Sequence, residues 1–368
     1  VAASRVFLGR GVAETAALLP ALFSVCATAQ AAACAQACEA ALGLQAPPLV
    51  HRLRGLLTDA ETVREHLWRV LLDWPRLLGE DPDGSSMAAV MAAFSRLRAA
   101  LSGGGDPFQP GSADPRPQIA VALSSLGALV SVSSERVLGT SPAGWLERAA
   151  DAGGLRAWSG AADTAAARLV REVEARGWAA LGRSPVQALP RLSAAELEGL
   201  LGGRGADAFV AAPRWRGRPA ESSPFARNLG QPLVAGLSRR CHNGLLPRLA
   251  AQLAELSGLL VGLRQGIEDL GSQATTSVSP ARGTLPPGVG IAQVQAARGL
   301  LVHRLAIRDD RVRDYRILAP TEWNFHPKGA VAAGLAGLPP MGGEQLLGFA
   351  GLFVTAVDPC VDHVVTVT

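Results

Sequence analysis

Apolar residues recur at helical spacing through most of the first hundred positions. Leu53, Leu56, Leu57, Val63, Leu67, Val70 and Leu71 form one amphipathic stripe, and Met87 to Leu101 repeats the pattern. Glycine and proline then crowd the chain between Ser102 and Pro117, which predicts a surface loop. The helical pattern resumes from Ala161 to Ala180. Ser193-Ala-Ala-Glu196 is a capping box that opens a short helix, which Gly202-Gly203 should stop. Leu245 to Leu270 is leucine-rich at i, i+3, i+4 and predicts a long helix. After a second loop, 271–290, the texture changes. Leu300–Ile307 and Val312–Leu318 are β-type runs separated by Arg308-Asp309-Asp310-Arg311, which predicts a hairpin, and Val361–Thr368 is a β-type tail. The pattern is that of a mainly α (α+β) chain with a small β element near its C-terminus and no repeat at solenoid periods. Thr15 to Cys38 carries no charge. Its alanine richness, Pro20, Gln30 and Gln36 predict a buried helix rather than a membrane span.

Composition narrows the function. The 368 residues include 35 basic and 31 acidic side chains, and 48% are hydrophobic, enough for a sizeable core. Length alone suggests about two domains. Lys328 is the one lysine, the arginines are scattered, and a single tyrosine is present, so the net charge of +4 does not describe a nucleic-acid-binding surface. The five cysteines, Cys26, Cys34, Cys38, Cys241 and Cys360, form no C-x-x-C pair. That excludes zinc ribbons, thioredoxin-type motifs and ferredoxin-type cluster runs, and the odd count argues against a disulfide scaffold. Reduced thiols in a cytoplasmic location are the expectation. The sequence opens on Val1 with no recognisable signal peptide, and is expected to begin inside a longer reading frame.

Four segments carry candidate chemistry. In Ala296-Ala-Arg-Gly299 the glycine permits close backbone approach, so Arg298 can project as a fixed guanidinium donor, although an ordinary surface arginine would give the same string. Pro320-Thr-Glu-Trp-Asn-Phe-His-Pro327 predicts a packed, ordered loop. Glu221-Ser-Ser-Pro-Phe-Ala-Arg227 offers Ser222 or Ser223 as a helix cap. Asp358-Pro-Cys-Val-Asp-His363 places a thiol and an imidazole three residues apart, at metal-ligand spacing. Each segment alone is better explained structurally.

In order along the chain, however, they resemble the large subunit of [NiFe]-hydrogenases. Arg298-Gly299-Leu300, His303, Tyr315, Pro320-Thr321, Trp323-Asn324-Phe325, Pro327 and Asp358-Pro359-Cys360 follow its C-terminal third. Glu221–Arg227 is similar to its E-T-G-P-L-A-R segment. Arg52, Arg54, Glu65-His66 and Asp73-Trp74 match its helical arginines followed by D-H and D-W. Val25-Cys26-Ala-Thr-Ala-Gln30 resembles the second half of R-I-C-G-V-C-x-x-x-H. The resemblance spans nearly the whole chain and implies one large-subunit-like domain over residues 1–368.

The departures decide what the resemblance implies. The family holds nickel with two C-x-x-C pairs; here they read Phe23-x-x-Cys26 and Cys360-x-x-His363. Two of four thiolates are missing, the supporting histidine is Gln30, and E-A-P-R-G has become Gln295-Ala-Ala-Arg-Gly299. Nickel is therefore not expected, and neither is hydrogenase catalysis. Cys26, Cys360 and the cyanide-facing Arg298 remain, with His363 as an additional candidate ligand. This pattern is similar to hydrogenase expression/formation proteins of the HupK type. It implies a non-catalytic scaffold or chaperone that holds an iron fragment bearing CO and cyanide ligands, with the hydrogenase large-subunit precursor or other maturation proteins as partners. The alternatives are a docking module with an empty pocket and, less favoured, a hydrogenase with a rewired metal site. Cys34 and Cys38, at i and i+4 on the alanine-rich helix, read as buried packing before they read as a two-thiol metal site. Cys241 receives no role. His51, His66 and His303 read as hydrogen-bonding core or boundary residues.

Overall fold

A computed structural model describes residues 3–23, 25–112, 115–271, 285–360 and 364–366. The stretch read as one buried helix is two: α1 (Val12–Leu22), which contains Pro20, and α2 (Ala27–Leu42), separated by a turn that carries Cys26. Eleven of the sixteen α2 residues are buried, and Gly43 closes the helix in the left-handed region. Its alanines are explained by what lies against it. A β-carbon on Gly290 would meet the Ala37 carbonyl oxygen at 1.8 Å, so helix and sheet touch backbone to backbone.

The stripe from Leu53 to Leu67 becomes α3 (Pro48–Trp68), which continues through a π-helical turn, Arg69–Asp73, into Trp74–Leu77. α4 (Gly84–Ser102) starts at an Asp83 cap, and the glycine-rich segment after it is irregular. The next long helix, α5 (Ile119–Val132), went unpredicted; it packs on α4 and on the central helix. Among the described residues Ile119–Arg148 is the one stretch long and apolar enough to cross a membrane. The chain leaves helix within it at Gly139–Ser141, and Ala122, Leu126 and Leu129 face the core. The pattern at Ala161–Ala180 resolves into α6 (Ala165–Ala175), capped by Thr164 after a preceding helix, Ala152–Ala161.

The capping box forms as read: Ser193 accepts from the Glu196 amide and the Glu196 carboxylate returns to the Ser193 amide, opening α7 (Ala194–Leu201). Ser193→Ala is expected to cost about 1 kcal/mol, visible as faster amide exchange confined to that helix. α8 (Leu245–Gly271) runs through the centre of the largest hydrophobic cluster, and Leu245 to Ser257 are buried without interruption.

The β element is larger than the predicted hairpin. Two residues pair in parallel, β1 (Gln187–Ala188) with β2 (Ala220–Glu221). The main sheet is an antiparallel meander of β3 (Val289–Ala296), β4 (Gly299–Arg308) and β5 (Arg311–Leu318). The expected 271–290 loop thus ends in a strand, because α2 buries alternate β3 residues; 272–284 lie outside the described residues. Asp309 and Asp310 both take positive φ, the two-residue turn that matches strand twist. The C-terminal β tail falls mostly outside the described residues, and 364–366 form no strand.

Candidate functional site

Three elements converge on one point: the turn before α2, the tight turn between β3 and β4, and the irregular chain after the last long helix, α9 (Gly343–Val357). The first presents Cys26. Its position is fixed from α3, where the Glu61 carboxylate accepts from the Thr28 amide at 2.8 Å and the Ala29 amide at 3.0 Å. A carboxylate across the opening turn of a helix satisfies its free N–H groups and its dipole together. Arg64, also from α3, donates to the Val25 carbonyl at 2.7 Å.

The second presents Arg298, in the two-residue turn that Ala296 and Gly299 close as a register pair. Gly299 has φ +132°, and a β-carbon there would lie 1.3 Å from the Ser222 carbonyl oxygen. Ser222 accepts from the Leu300 amide at 2.8 Å, and Asn324 bridges the two segments by accepting from the Ser222 amide at 2.7 Å and donating to the Arg298 carbonyl at 3.0 Å. The 320–327 segment is therefore ordered and structural as read, with a short helix, Pro320–Asn324, inside it, and Ser223 is the cap in Glu221–Arg227.

The third presents Asp358 and Cys360. Asp358 has φ 65° at the end of α9 and is buried. Arg69 donates to its Oδ1 at 2.6 Å and to the Pro359 carbonyl at 2.8 Å. Arg298 pairs with Glu65 Oε2 at 2.8 Å, lies 3.4 Å from Asp358 Oδ1, and donates to Pro359 O at 3.3 Å. Burial disfavours charge on Asp358, but Arg298 and Arg69 outweigh it and hold the carboxyl below its usual range. Two polar atoms in this knot remain buried without a partner: Arg298 Nη1 and Asp358 Oδ2. Unsatisfied buried groups are costly, so a donor and an acceptor left open in one buried knot are a functional signal.

Cys26 and Cys360 lie close enough to shift each other's ionisation. Cys26, above all, draws Cys360 down to about 7 against the effect of burial, with further help from Arg298. The neighbouring Cys360 and burial push Cys26 up. Gln30 Nε2 approaches Cys26 Sγ at 3.7 Å, while Gln30 Oε1 lies 2.8 Å from His303 Nε2, and Tyr315 Oη lies 2.9 Å from His303 Nδ1. Burial holds His303 neutral, so a Tyr315 donor fixes the Nε2–H tautomer and turns the Gln30 amide N–H toward Cys26.

Of the residues singled out by sequence, Cys26, Cys360 and Arg298 meet here. His363 lies outside the described residues. Phe23 packs into the apolar cluster of α1, α2 and the sheet. Cys34 and Cys38 are fully buried in that cluster. Among the described residues no group of three or more His, Cys, Asp and Glu side chains is placed to hold a metal ion, around Cys34 and Cys38 or around Cys26 and Cys360. His66 and His303 are buried hydrogen-bonded residues as read, and His51 is half-buried.

Sequence reasoning missed the charged scaffold beneath the site. Arg248, Gln252 and Glu255 stand at i, i+4 and i+7 on α8, all buried. Arg248 pairs with Glu221, Gln252 donates to the Ala356 carbonyl, and Glu255 receives Arg227, His66 and Asn228. A polar stripe at helical period inside a leucine-alanine helix was the available signal. A cavity of about 550 Å³ opens beside the pair, with Cys360, Arg298, Arg69 and Arg76 in its wall.

The nickel-dependent hydrogenase family matches residues 233–361. The chain is 33% identical to the hydrogenase expression/formation protein HoxV of Cupriavidus necator, over 99% of this chain and 90% of that protein. It is 30% identical to HupK of Bradyrhizobium diazoefficiens, over 97% and 88%. Among solved structures it superposes on the Ni-Fe-Se hydrogenase of D. vulgaris Hildenborough with TM-score 0.66 at 16% identity, covering 97% and 90% of the two chains. It also matches an NAD+-reducing [NiFe]-hydrogenase at TM-score 0.59 and 19% identity, covering 97% and 89%. The mainly helical fold with its small C-terminal sheet is thus that of hydrogenase large subunits, and the sequence relatives are formation proteins. The chain belongs to the family of hydrogenase expression/formation proteins that includes HoxV and HupK.

Proposed function

We propose that this protein is a non-catalytic accessory factor in [NiFe]-hydrogenase maturation, and that Cys26 and Cys360 hold an iron fragment bearing CO and cyanide while the large-subunit site is assembled. The observation that carries this reading is the open Arg298 Nη1, buried in the cavity wall that also carries Cys360. Two protein sulfurs leave an iron centre dependent on non-protein ligands, and a fixed guanidinium donor suits a cyanide nitrogen. Bound there, the fragment would supply the iron, carbonyl and cyanide portion of a hydrogenase centre. The chain's own residues do the rest. Glu65 and Asp358 hold Arg298 charged and oriented, and Asn324 fixes the turn that carries it. The Gln30 amide N–H supports the Cys26 sulfur as an electron-pair acceptor. The resemblance pairs this role with a large-subunit precursor or another maturation protein as recipient.

Infrared spectroscopy of protein isolated from cells making the hydrogenase tests the reading. Cyanide and carbonyl bands, with iron by elemental analysis, are expected in the wild type and lost in Cys26→Ser and Cys360→Ser. Arg298→Lys should shift the cyanide bands while leaving the carbonyl band nearly in place. Absence of bands and of iron from the wild type would overturn it. Docking without cargo would then be favoured, a reading that the exposed Trp68, Leu77 and Met91 around the cavity support.

A further inference from the structure

We propose that the outer edge of β3 and the groove beside it bind an extended, acidic segment of a partner protein, which joins the sheet as a further strand. The proposal does not rest on the iron reading, because Cys26, Cys360 and Arg298 are not part of the groove.

Three observations carry it. The first is an unused hydrogen-bonding row. β3 is an outer strand of the β3–β4–β5 sheet. Gly288 accepts from the Ile307 amide at 2.8 Å, and the register runs unbroken from Val289–Ala306 to Ala296–Gly299. Antiparallel pairing alternates, so Gly290, Ala292, Val294 and Ala296 direct their backbone groups to β4, and the residues between them direct theirs outward. The Val289 amide turns back to the Pro286 carbonyl. Among the described residues Ile291, Gln293 and Gln295 meet no backbone partner on that side. The opposite edge of the sheet differs, because Gly9 donates to the Val312 carbonyl there and Val312 donates to Arg10. Donors and acceptors repeating every second residue are complementary to the backbone of another extended chain.

The second observation is the lack of any guard on this edge. β3 reads VGIAQVQA, eight residues with no charge and no proline, and it forms no bulge against β4. Natural edge strands usually carry one of these devices against pairing. α2 packs on the face that holds Gly290, but Ile291 and Gln293 are half-buried and Gln295 is exposed.

The third is a groove of matching chemistry. A cavity of about 420 Å³ lies against the strand, lined by Gln293 and Gln295 and, from the segment after β1, by Leu189, Pro190 and Arg191. Gln293 Nε2 donates to the Leu192 carbonyl at 2.9 Å and ties that segment to the strand. No carboxylate lines the groove. Arg227 in its wall is already met by Glu255, whereas Arg191 is exposed and has no carboxylate partner among the described residues. The unmatched charge favours an acidic residue in the incoming strand. A second copy of β3 carries no acid and does not supply one. β3 ends in the turn that carries Arg298, so an added strand would restrain the segment on which the site depends.

The test measures hydrogen exchange at single amides in the full-length, iron-free protein. The probe is an acetylated eight-residue peptide of alternating Thr and Val with one central Glu. At millimolar peptide, exchange at Ile291, Gln293 and Gln295 is expected to slow at least about 10-fold, while Gly290, Ala292 and Val294 change little. The same peptide with its pairing amides N-methylated should have no effect. Replacing its Glu by Lys should weaken binding about 3-fold, and Arg191→Glu should reverse that preference. Gln295→Pro removes one outward N–H and leaves the β4 pairing in place, so it should abolish the slowing with the circular dichroism spectrum unchanged. No slowing at the three amides, or equal binding of the N-methylated peptide, would overturn the proposal. So would protection of these amides before peptide is added, which would mean that the edge is already covered. Protection that grows with the protein's own concentration would replace the acidic partner with a second copy. Because no iron is present, the infrared result does not bear on any of these outcomes.

Discussion

Gly299→Ala is expected to destabilise the protein by about 4 kcal/mol or more, enough to abolish a cooperative native state in a marginally stable chain. Two effects act together. The residue has φ +132°, a region essentially confined to glycine, and an added methyl would sit 1.3 Å from the Ser222 carbonyl oxygen and 2.5 Å from its carbon. No rotamer relieves an overlap with backbone, so either the β3–β4 turn or the Glu221–Ser223 segment must move. Movement of either breaks the Leu300 amide bond to Ser222 and the Asn324 bridge. Denaturant titration followed by circular dichroism gives the loss directly, and a change below about 1 kcal/mol would show that the two segments are free to separate.

This glycine also shows what the sequence reveals of the site. Arg298-Gly299 was readable as a close backbone approach that aims a guanidinium, because glycine is the one residue such an approach tolerates. Cys26 and Cys360 were likewise legible as remnants of the two paired-cysteine motifs once the surrounding motifs were aligned in order, whereas the break that sets Cys26 ahead of α2 and the helix Gly343–Val357 before Cys360 were not. What the string could not show is which charges meet. Arg69, Glu65 and Asp358 belong to a helix turn, a helix end and an irregular segment, and only the tertiary fold brings them to Arg298. The third strand, Val289–Ala296, was obscured for a related reason. Its sequence VGIAQVQA is weakly apolar, and burial against the alanines of α2, which appears only on folding, makes it a strand. α5 escaped notice because it is apolar on more than one face, so it shows little helical alternation.

The second large effect lies beneath the site. Glu255→Leu is expected to cost about 3–5 kcal/mol, since Arg227 and His66 would lose their shared carboxylate in the protein interior. The loss would reach the site, because Arg227 also donates to the Ala296 carbonyl at 2.6 Å and the Ala297 carbonyl at 2.9 Å, bracing the turn that carries Arg298. Glu255→Gln, which keeps the shape and removes the charge, separates electrostatics from packing. Burial opposes the Glu255 charge, but Arg227 and His66 prevail and hold the carboxyl at about 2 against an ordinary 4.5. A depressed folded value means that the stabilisation is complete above about pH 4.5 and is lost as the pH falls toward 2, a contribution on the order of 3 kcal/mol. Asp59 adds the opposite slope. Burial, and next the Glu255 charge, raise it to about 6 against an ordinary 3.8, so its protonation favours the folded state as the pH falls through that window. The stability difference between wild type and Glu255→Gln should therefore increase slightly from pH 7 to 5, where protonation relieves the Asp59–Glu255 repulsion, and then shrink steadily below 4.5. Denaturant titrations at pH 7, 5, 4 and 3 trace this curve. A difference that stays flat across the series would mean that Glu255 acts through its shape alone, and that the charge on Arg227 is balanced elsewhere.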